Sequence, residues 1–266
     1  MPTVLAIMAH PDDIEITCAG TLALLKHAGW EVHLATMTPG DLGSSTLSRR
    51  KIAAVRRGEA QRSADHLSAS YACLEFDDLT ILCNAKAKRR VCAHIRRVRP
   101  DVIVTHPPAD YMMDHEETSR TVREAAFVST IPNWKVKDDR SKEKLQPCSA
   151  LPVLLYADPI ENVNWTGARV AARQVVDITT VIDTKEMMLA AHESQRSWLR
   201  EQHGEDEYLL AMRRWAADRA RDFRQKAVLY AEGFNQHLGH SFPRTDVLTA
   251  TLGKKLVKTF DAPAAG

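Results

Sequence analysis

The short apolar run Val4–Ile7 gives way to Met8-Ala9-His10-Pro11-Asp12-Asp13-Ile14-Glu15, and this junction limits the fold more than any other stretch of the chain. The run contains β-formers and no polar alternation, which predicts a parallel strand buried on both faces. Pro11 stops the strand from continuing. The polar cluster therefore falls at a strand's carboxyl end, the edge at which open α/β sheets gather their ligands. From such a loop the imidazole of His10 and the carboxylate of Asp13 can turn towards one cation. Asp12, between them, is left as a base for water held there.

The chain continues as alternating elements. Gly20 to Ala28 reads as a helix stopped by Gly29, and Glu31 to Met37 as a second strand, a right-handed crossover unit. Thr38 to Ser48, with Pro39, Gly40 and Gly43, reads as a loop at the same edge as His10. Helices over Arg49 to Leu67 and Lys86 to Val98 bracket a third strand, Tyr71 to Phe76, and the acidic turn Asp77-Asp78; the basic residues of the second helix read as a solvated exterior. Asp101 to Thr105 is a fourth strand that delivers His106-Pro107-Pro108-Ala109-Asp110-Tyr111-Met112-Met113-Asp114-His115 at its end, before a helix through Phe127. Ile131 to Ala150 is an irregular segment, either a pocket rim or a contact to another subunit. Val153 to Ala157 and Val175 to Thr179 are further strands. Asp183-Thr184-Lys185-Glu186 reads as a capping box opening a helix through about Leu199, and a second long helix spans about Glu205 to Gln225. The expected architecture is α/β, a Rossmann-like, mostly parallel sheet flanked by helices. Residues 1–253 form one domain, of which 201–253 is a helical C-terminal extension, and 254–266 is a frayed tail.

Composition removes several classes. With 36 basic and 34 acidic side chains the formal net charge is +2, which argues against nucleic acid and anionic membranes as partners. No apolar run reaches membrane-spanning length and no basic-then-apolar leader opens the chain, so a cytoplasmic protein is expected. Five cysteines, with no Cys-x-x-Cys pair, fit reduced structural thiols. The first strand leads into acids rather than a Gly-x-Gly-x-x-Gly loop, which disfavours a dinucleotide site, and there is no Gly-x-Ser-x-Gly elbow, Walker loop or HExxH.

His10 and Asp13 from one strand end, with His115 from another, give three ligands and an open position, the count of catalytic zinc sites. At Ala9-His10-Pro11-Asp12-Asp13, Glu15, Gly20, Asp110-Tyr111 and Asp114-His115 the chain resembles the LmbE-like, or PIG-L, family of metal-dependent de-N-acetylases. Arg56 with Glu59, and His192-Glu193-Ser194-Gln195, add supporting matches, and the resemblance spans residues 3–200. It implies a divalent metal, Zn2+ with Fe2+ as an alternative, and hydrolysis of an acetamido group on a small amino sugar or sugar conjugate. His10, Asp13 and His115 then resemble the metal ligands and Asp12 the general base. Arg56, Asp110 and Tyr111 resemble substrate contacts, while Asp114 and His192 support neighbouring groups. Arg56 could equally pair with Glu59 or Glu75.

One departure from the family motif matters. Where the family commonly reads Asp-Tyr-His-Pro-Asp-His, this chain has Met112, and methionine can neither polarise an oxyanion nor protonate an amine. His106, His237 and His240 are candidate replacements, with His237 and His240 preferred as catalytic groups on a tail folded over the metal. Two competing functions remain: hydrolysis of another small-molecule amide, and a metal-retaining binding module without turnover. The unclaimed carboxylate of Asp12 argues against the module.

Overall fold

The computed structural model describes residues 1–138, 141–197 and 207–260. Its eight strands are β1 (Thr3–Met8), β2 (Glu31–Thr36), β3 (Ser70–Cys73), β4 (Val102–Thr105), β5 (Val153–Ala157), β6 (Gln174–Asp177), β7 (Ala231–Gln236) and β8 (Val257–Thr259). They form one sheet in the order β3-β2-β1-β4-β5-β7-β6-β8, parallel through β5 and antiparallel beyond it. Around it lie α1 (Asp13–Thr17), α2 (Ala19–His27), α3 (Arg49–Asp65), α4 (Ala85–Val98), α5 (Met113–Val128), α6 (Ile182–Ala190), α7 (Glu207–Ala220) and α8 (Val247–Leu252). Along β1 the side chains alternate between two cores: Val4, Ala6 and Met8 face one apolar cluster, Leu5 and Ile7 the other. Burial on both faces is why this strand reads as a continuous apolar run. No helix among the described residues is long and apolar enough to cross a membrane.

The parallel half follows the sequence reading closely. The C-terminal part does not. Residues 201–253 were expected to be helical, yet β7 lies among them, hydrogen-bonded between β5 and β6. Ala-Glu-Gly-Phe-Asn-Gln lacks the usual strand composition. It is a strand because both of its edges are occupied and Phe234 is fully buried, so packing overrides propensity. Gly233 is required there, since a Cβ would stand 2.0 Å from Asp158 Oδ2. The expected tail likewise contains β8, paired with β6 and anchored by buried Val257; residues 261–266 lie outside the described part. No capping box opens α6: the helix begins at Ile182, and Asp183 and Glu186 pair with Arg213 of α7. The helix expected to run through about Leu199 ends at Ala190, and the start expected near Glu205 falls outside the described residues.

Two buried ion pairs tie the antiparallel half together. Lys185 Nζ lies 2.5 Å from Glu232 Oε1 and donates to the Ile16 carbonyl at 2.8 Å, while the Glu232 carboxylate accepts from the Gly20 and Thr21 amides at the start of α2. Arg219 Nε lies 2.6 Å from Asp158 Oδ2. The 131–150 segment packs Val136, Trp134 and Leu145 onto the second core, with Arg89 of α4 over the Trp134 ring at 4.2 Å. None of its described residues lines the pocket described next.

Candidate active site

β1 and β4 are parallel neighbours in register, Ala6 opposite Val104, so the loops that follow them leave the sheet side by side. That adjacency brings together His10, Asp13 and His115, each buried, with one donor atom from each within 4.8 Å of the others. The His10 amide donates to Asp13 Oδ2 at 2.7 Å, and the ring Nδ1 of His10 lies 3.3 Å from the same oxygen. His115 places Nδ1 3.1 Å from Asp110 Oδ1. Its Nε2 is buried without a hydrogen-bond partner, 3.5 Å from Asp13 Oδ1. An imidazole whose Nδ1 is engaged by a carboxylate offers its Nε2 lone pair outward, so the donor set fits a divalent cation.

The same edge holds two further His/Asp groups, His106 with Asp110 and His115, and His10 with Asp78 and Asp114. The first is already occupied internally, because His106 Nε2 accepts from the Ala9 amide at 3.0 Å and the ring stacks on His115 at 3.8 Å. In the second, Asp78 and Asp114 hold His10 Nε2 at 3.0 and 3.3 Å. Asp114 also accepts from the Leu79 and Ile81 amides, fastening the turn after β3 to the site.

Asp12 stands apart from this set. Its backbone is left-handed (φ 101°), and although it occupies the N-cap of α1 its side chain caps nothing. The carboxylate instead accepts from the Tyr208 hydroxyl at 2.6 Å and lies 3.4 Å from Arg56 Nη2. Burial raises the Asp12 carboxyl above its ordinary range, against the opposing charge of Arg56. Burial would do the same to Asp13, but the adjacent His115 and His106 reverse it and hold that carboxyl well below the usual range. Two neighbouring carboxylates are thus driven in opposite directions, the pattern that separates a proton acceptor from a fixed anion.

A cavity of about 520 Å³ opens over these groups, lined by His10, Asp12, Asp13, Arg56 and His115 on its polar side. Tyr111 and Met112 line it too, the Tyr111 ring edge-on to His115 at 5.3 Å. Arg56 pairs with neither Glu59 nor Glu75; its terminal nitrogens donate to the Pro11 and Gly40 carbonyls, at 2.7 and 3.3 Å. Ser194 occupies Glu59, and Arg57 occupies Glu75. His192 is fully buried beside Glu15, its Nε2 3.2 Å from Oε1.

Three expected placements change. Asp110, expected as a substrate contact, sits behind His115 and does not line the cavity. His237 and His240 are not at the site. β7 runs antiparallel to β5, with Gln236 opposite Leu155 and Phe234 opposite Ala157, so its end carries His237 to the opposite edge of the sheet. There the His237 ring meets the Tyr156 hydroxyl at 3.1 Å and the edge of Phe242. Sequence reasoning missed Asp78, taken as part of a turn, and Tyr208, which falls in the long helix expected over about Glu205 to Gln225. Ile160, Glu161 and Trp215, which complete the cavity wall, were also missed. For Asp78 a signal existed, since it follows a strand at the edge already marked by His10. For Tyr208 none did.

Residues 5–126 match the family model described as PIG-L: GlcNAc-PI de-N-acetylase. The chain is 27% identical over 198 residues to the diacetylchitobiose deacetylase of Thermococcus kodakarensis, a match covering 72% of this chain and 69% of that protein. It is 25% identical over 139 residues to the 4-oxalmesaconate hydratase of Pseudomonas putida, covering 49% and 54% of the two. The solved N,N′-diacetylchitobiose deacetylase of Pyrococcus horikoshii superposes with a TM-score of 0.73 at 24% identity, over 92% of this chain and 88% of that one.

Proposed function

We propose that this chain, whose residues 5–126 carry a PIG-L (LmbE-like) domain, is a metal-dependent N-deacetylase that releases acetate from an N-acetylated amino sugar or sugar conjugate. The observation that carries the reading is the unpartnered Nε2 of His115 beside Asp13 and His10, with the carboxylate of Asp12 facing the same cavity but committed to neither. His10, Asp13 and His115 would hold the cation, with zinc the choice that suits two imidazoles and a carboxylate and Fe2+ the alternative. When bound, the cation supplies Lewis-acid polarisation of the amide carbonyl and lowers the pKa of water.

The remaining steps belong to the chain. Asp12, raised towards the working pH by burial, takes the proton of the attacking water. Arg56 and the Tyr208 hydroxyl hold its carboxylate in place. Expulsion of the amine requires a proton at nitrogen. With Met112 in the family histidine's place, and His237 and His240 across the sheet, Asp12 returns it. Asp110 and Asp114 orient the rings of His115 and His10. The acceptor pattern suits a small molecule.

Met112 also favours a second reading. Addition of water to an activated double bond needs a bound cation and a base but no protonation of an amine, and the 25% match to a hydratase is of that kind. One experiment separates them: metal content and acetate release on N-acetylglucosamine and N,N′-diacetylchitobiose, wild type against Asp12→Asn. Stoichiometric metal in both proteins with release only by the wild type is the expected result. Metal without release from either probe moves the assignment to hydration or another amide, and protein that binds no metal overturns both.

A further inference from the structure

The wall of the cavity facing away from the His/Asp cluster is built on a strained turn. After β5 the chain passes through Asp158-Pro159-Ile160 to Glu161 (φ 65°) and Asn162 (φ 59°), two successive non-glycine residues in the left-handed region. Such residues are strained and persist where their surroundings over-determine them. Here the turn is clamped at both ends to α7. Asp158 is paired with buried Arg219. Asn162 donates from Nδ2 to the Trp215 carbonyl at 3.0 Å and to Asp218 Oδ2 at 3.3 Å.

The clamped turn carries Glu161, which is exposed, and Glu161 and Trp215 both line the cavity. Glu161 makes no hydrogen bond or ion pair among the described residues. Burial, with the nearby carboxylates of Asp13, Asp110, Asp12 and Glu161, holds the Tyr111 hydroxyl protonated. The two arginines that line the same cavity are engaged within the chain. Arg56 is spent on Pro11, Gly40 and Asp12, and Arg214 is paired with Glu207. Among the described residues, then, the mouth offers an anion without a partner and no cation without one. A cavity lined by both an indole and a carboxylate is suited to a ring with an apolar face and hydroxyl or amino edges.

We propose that Glu161 is the specificity residue of this cavity: its carboxylate accepts hydrogen bonds from hydroxyl or ammonium groups on the part of the substrate remote from the reacting amide, and selects neutral or amine-bearing amino-sugar glycosides over phosphorylated or carboxylated ones. The inference takes its substrate class from the deacetylase reading.

Binding to metal-loaded Asp12→Asn protein tests it apart from turnover. The probes are N,N′-diacetylchitobiose, its mono-deacetylated form and N-acetylglucosamine 6-phosphate, titrated by calorimetry into Asp12→Asn and into the double variants carrying Glu161→Gln or Glu161→Lys. The expected result is that the two disaccharides bind at least tenfold tighter than the phosphate. Glu161→Gln should weaken both about tenfold, the amine-bearing one more, and Glu161→Lys should reverse the order in favour of the phosphate. Disaccharide affinities within twofold of the parent in both Glu161 variants, tightest binding of the phosphate by the parent, or no binding of any probe at millimolar concentration each overturns the proposal. Acetate release by the wild type is read separately. Release with Glu161-independent binding removes this inference alone, and the expected binding order without release removes the deacetylase reading alone.

Discussion

The two halves of the sheet bury charge in opposite ways. In the antiparallel half the buried charges are matched one to one: Lys185 with Glu232, Arg219 with Asp158. At the carboxyl edge of the parallel half, Asp13, Asp78, Asp110 and Asp114 are all buried, with Arg56 as the buried guanidinium among them and histidines supplying the rest. Buried charge that is neither paired nor neutralised costs several kcal/mol. The paired half is thus complete in itself, whereas the site has an excess of acceptors that a divalent cation would balance. The contrast teaches how to tell supporting from reactive groups when both are buried and polar: the supporting ones have their partners within the chain.

Substitutions on each side can break that contrast. The largest effect should come from His115→Ala, which removes the nitrogen without a partner: metal stoichiometry falls towards zero and acetate release is lost, while the protein still folds by circular dichroism. Metal retained at full occupancy would show that the cation, if bound, sits elsewhere. Asp12→Asn should lower turnover roughly 10²- to 10⁴-fold with metal content unchanged, as general-base loss does. Loss of metal in that variant would merge two roles that the geometry separates. Lys185→Met acts in the other half. Breaking a buried pair on one side destabilises by about 3–5 kcal/mol, read as a lowered denaturant midpoint, and the folded fraction should keep its metal. A midpoint equal to wild type would mean that Glu232 is held well enough by the Gly20 and Thr21 amides alone. The smallest effect belongs to His237→Ala and His240→Ala, expected to leave kcat/KM within about twofold, because β7 carries them to the far edge. A hundredfold loss in either would require the chain to bring that edge to the cavity.

How much of this was legible in the sequence follows from how local each signal is. The Val4–Ile7 run, the His-Pro-Asp-Asp loop and the Asp114-His115 pair are contiguous, and a strand end fixes where each points; their convergence followed from a parallel sheet. β7 was illegible because Ala231-Glu232-Gly233-Phe234 carries no alternation: what makes it a strand is two neighbours from residues 153–157 and 174–177. The direction of β7 then decided the fate of His237 and His240, whose spacing looked informative and whose sheet edge was wrong. Tyr208 was legible as buried, since a tyrosine on a helix's apolar stripe has a buried ring. That its hydroxyl ends on Asp12, 196 residues earlier, depends on how α7 docks. Arg56 was ambiguous for the opposite reason: its local partners by spacing, Glu59 and Glu75, are both taken by other residues.

The position of β7 also orders events during synthesis. Every residue of the His10, Asp13 and His115 cluster, and the strands that aim it, leaves the ribosome more than a hundred residues before Ala231. β6 has no neighbour in the sheet until β7 is made, because β7 joins it to β5 and β8 only extends its other side. The nascent chain therefore holds a finished set of metal donors while β6 is still unpaired and β7 and β8 are not yet made. Loading can precede closure of the wall that α7 and the Glu161 turn later provide, and a cation already in place would stabilise the parallel half while it waits for its remaining strands.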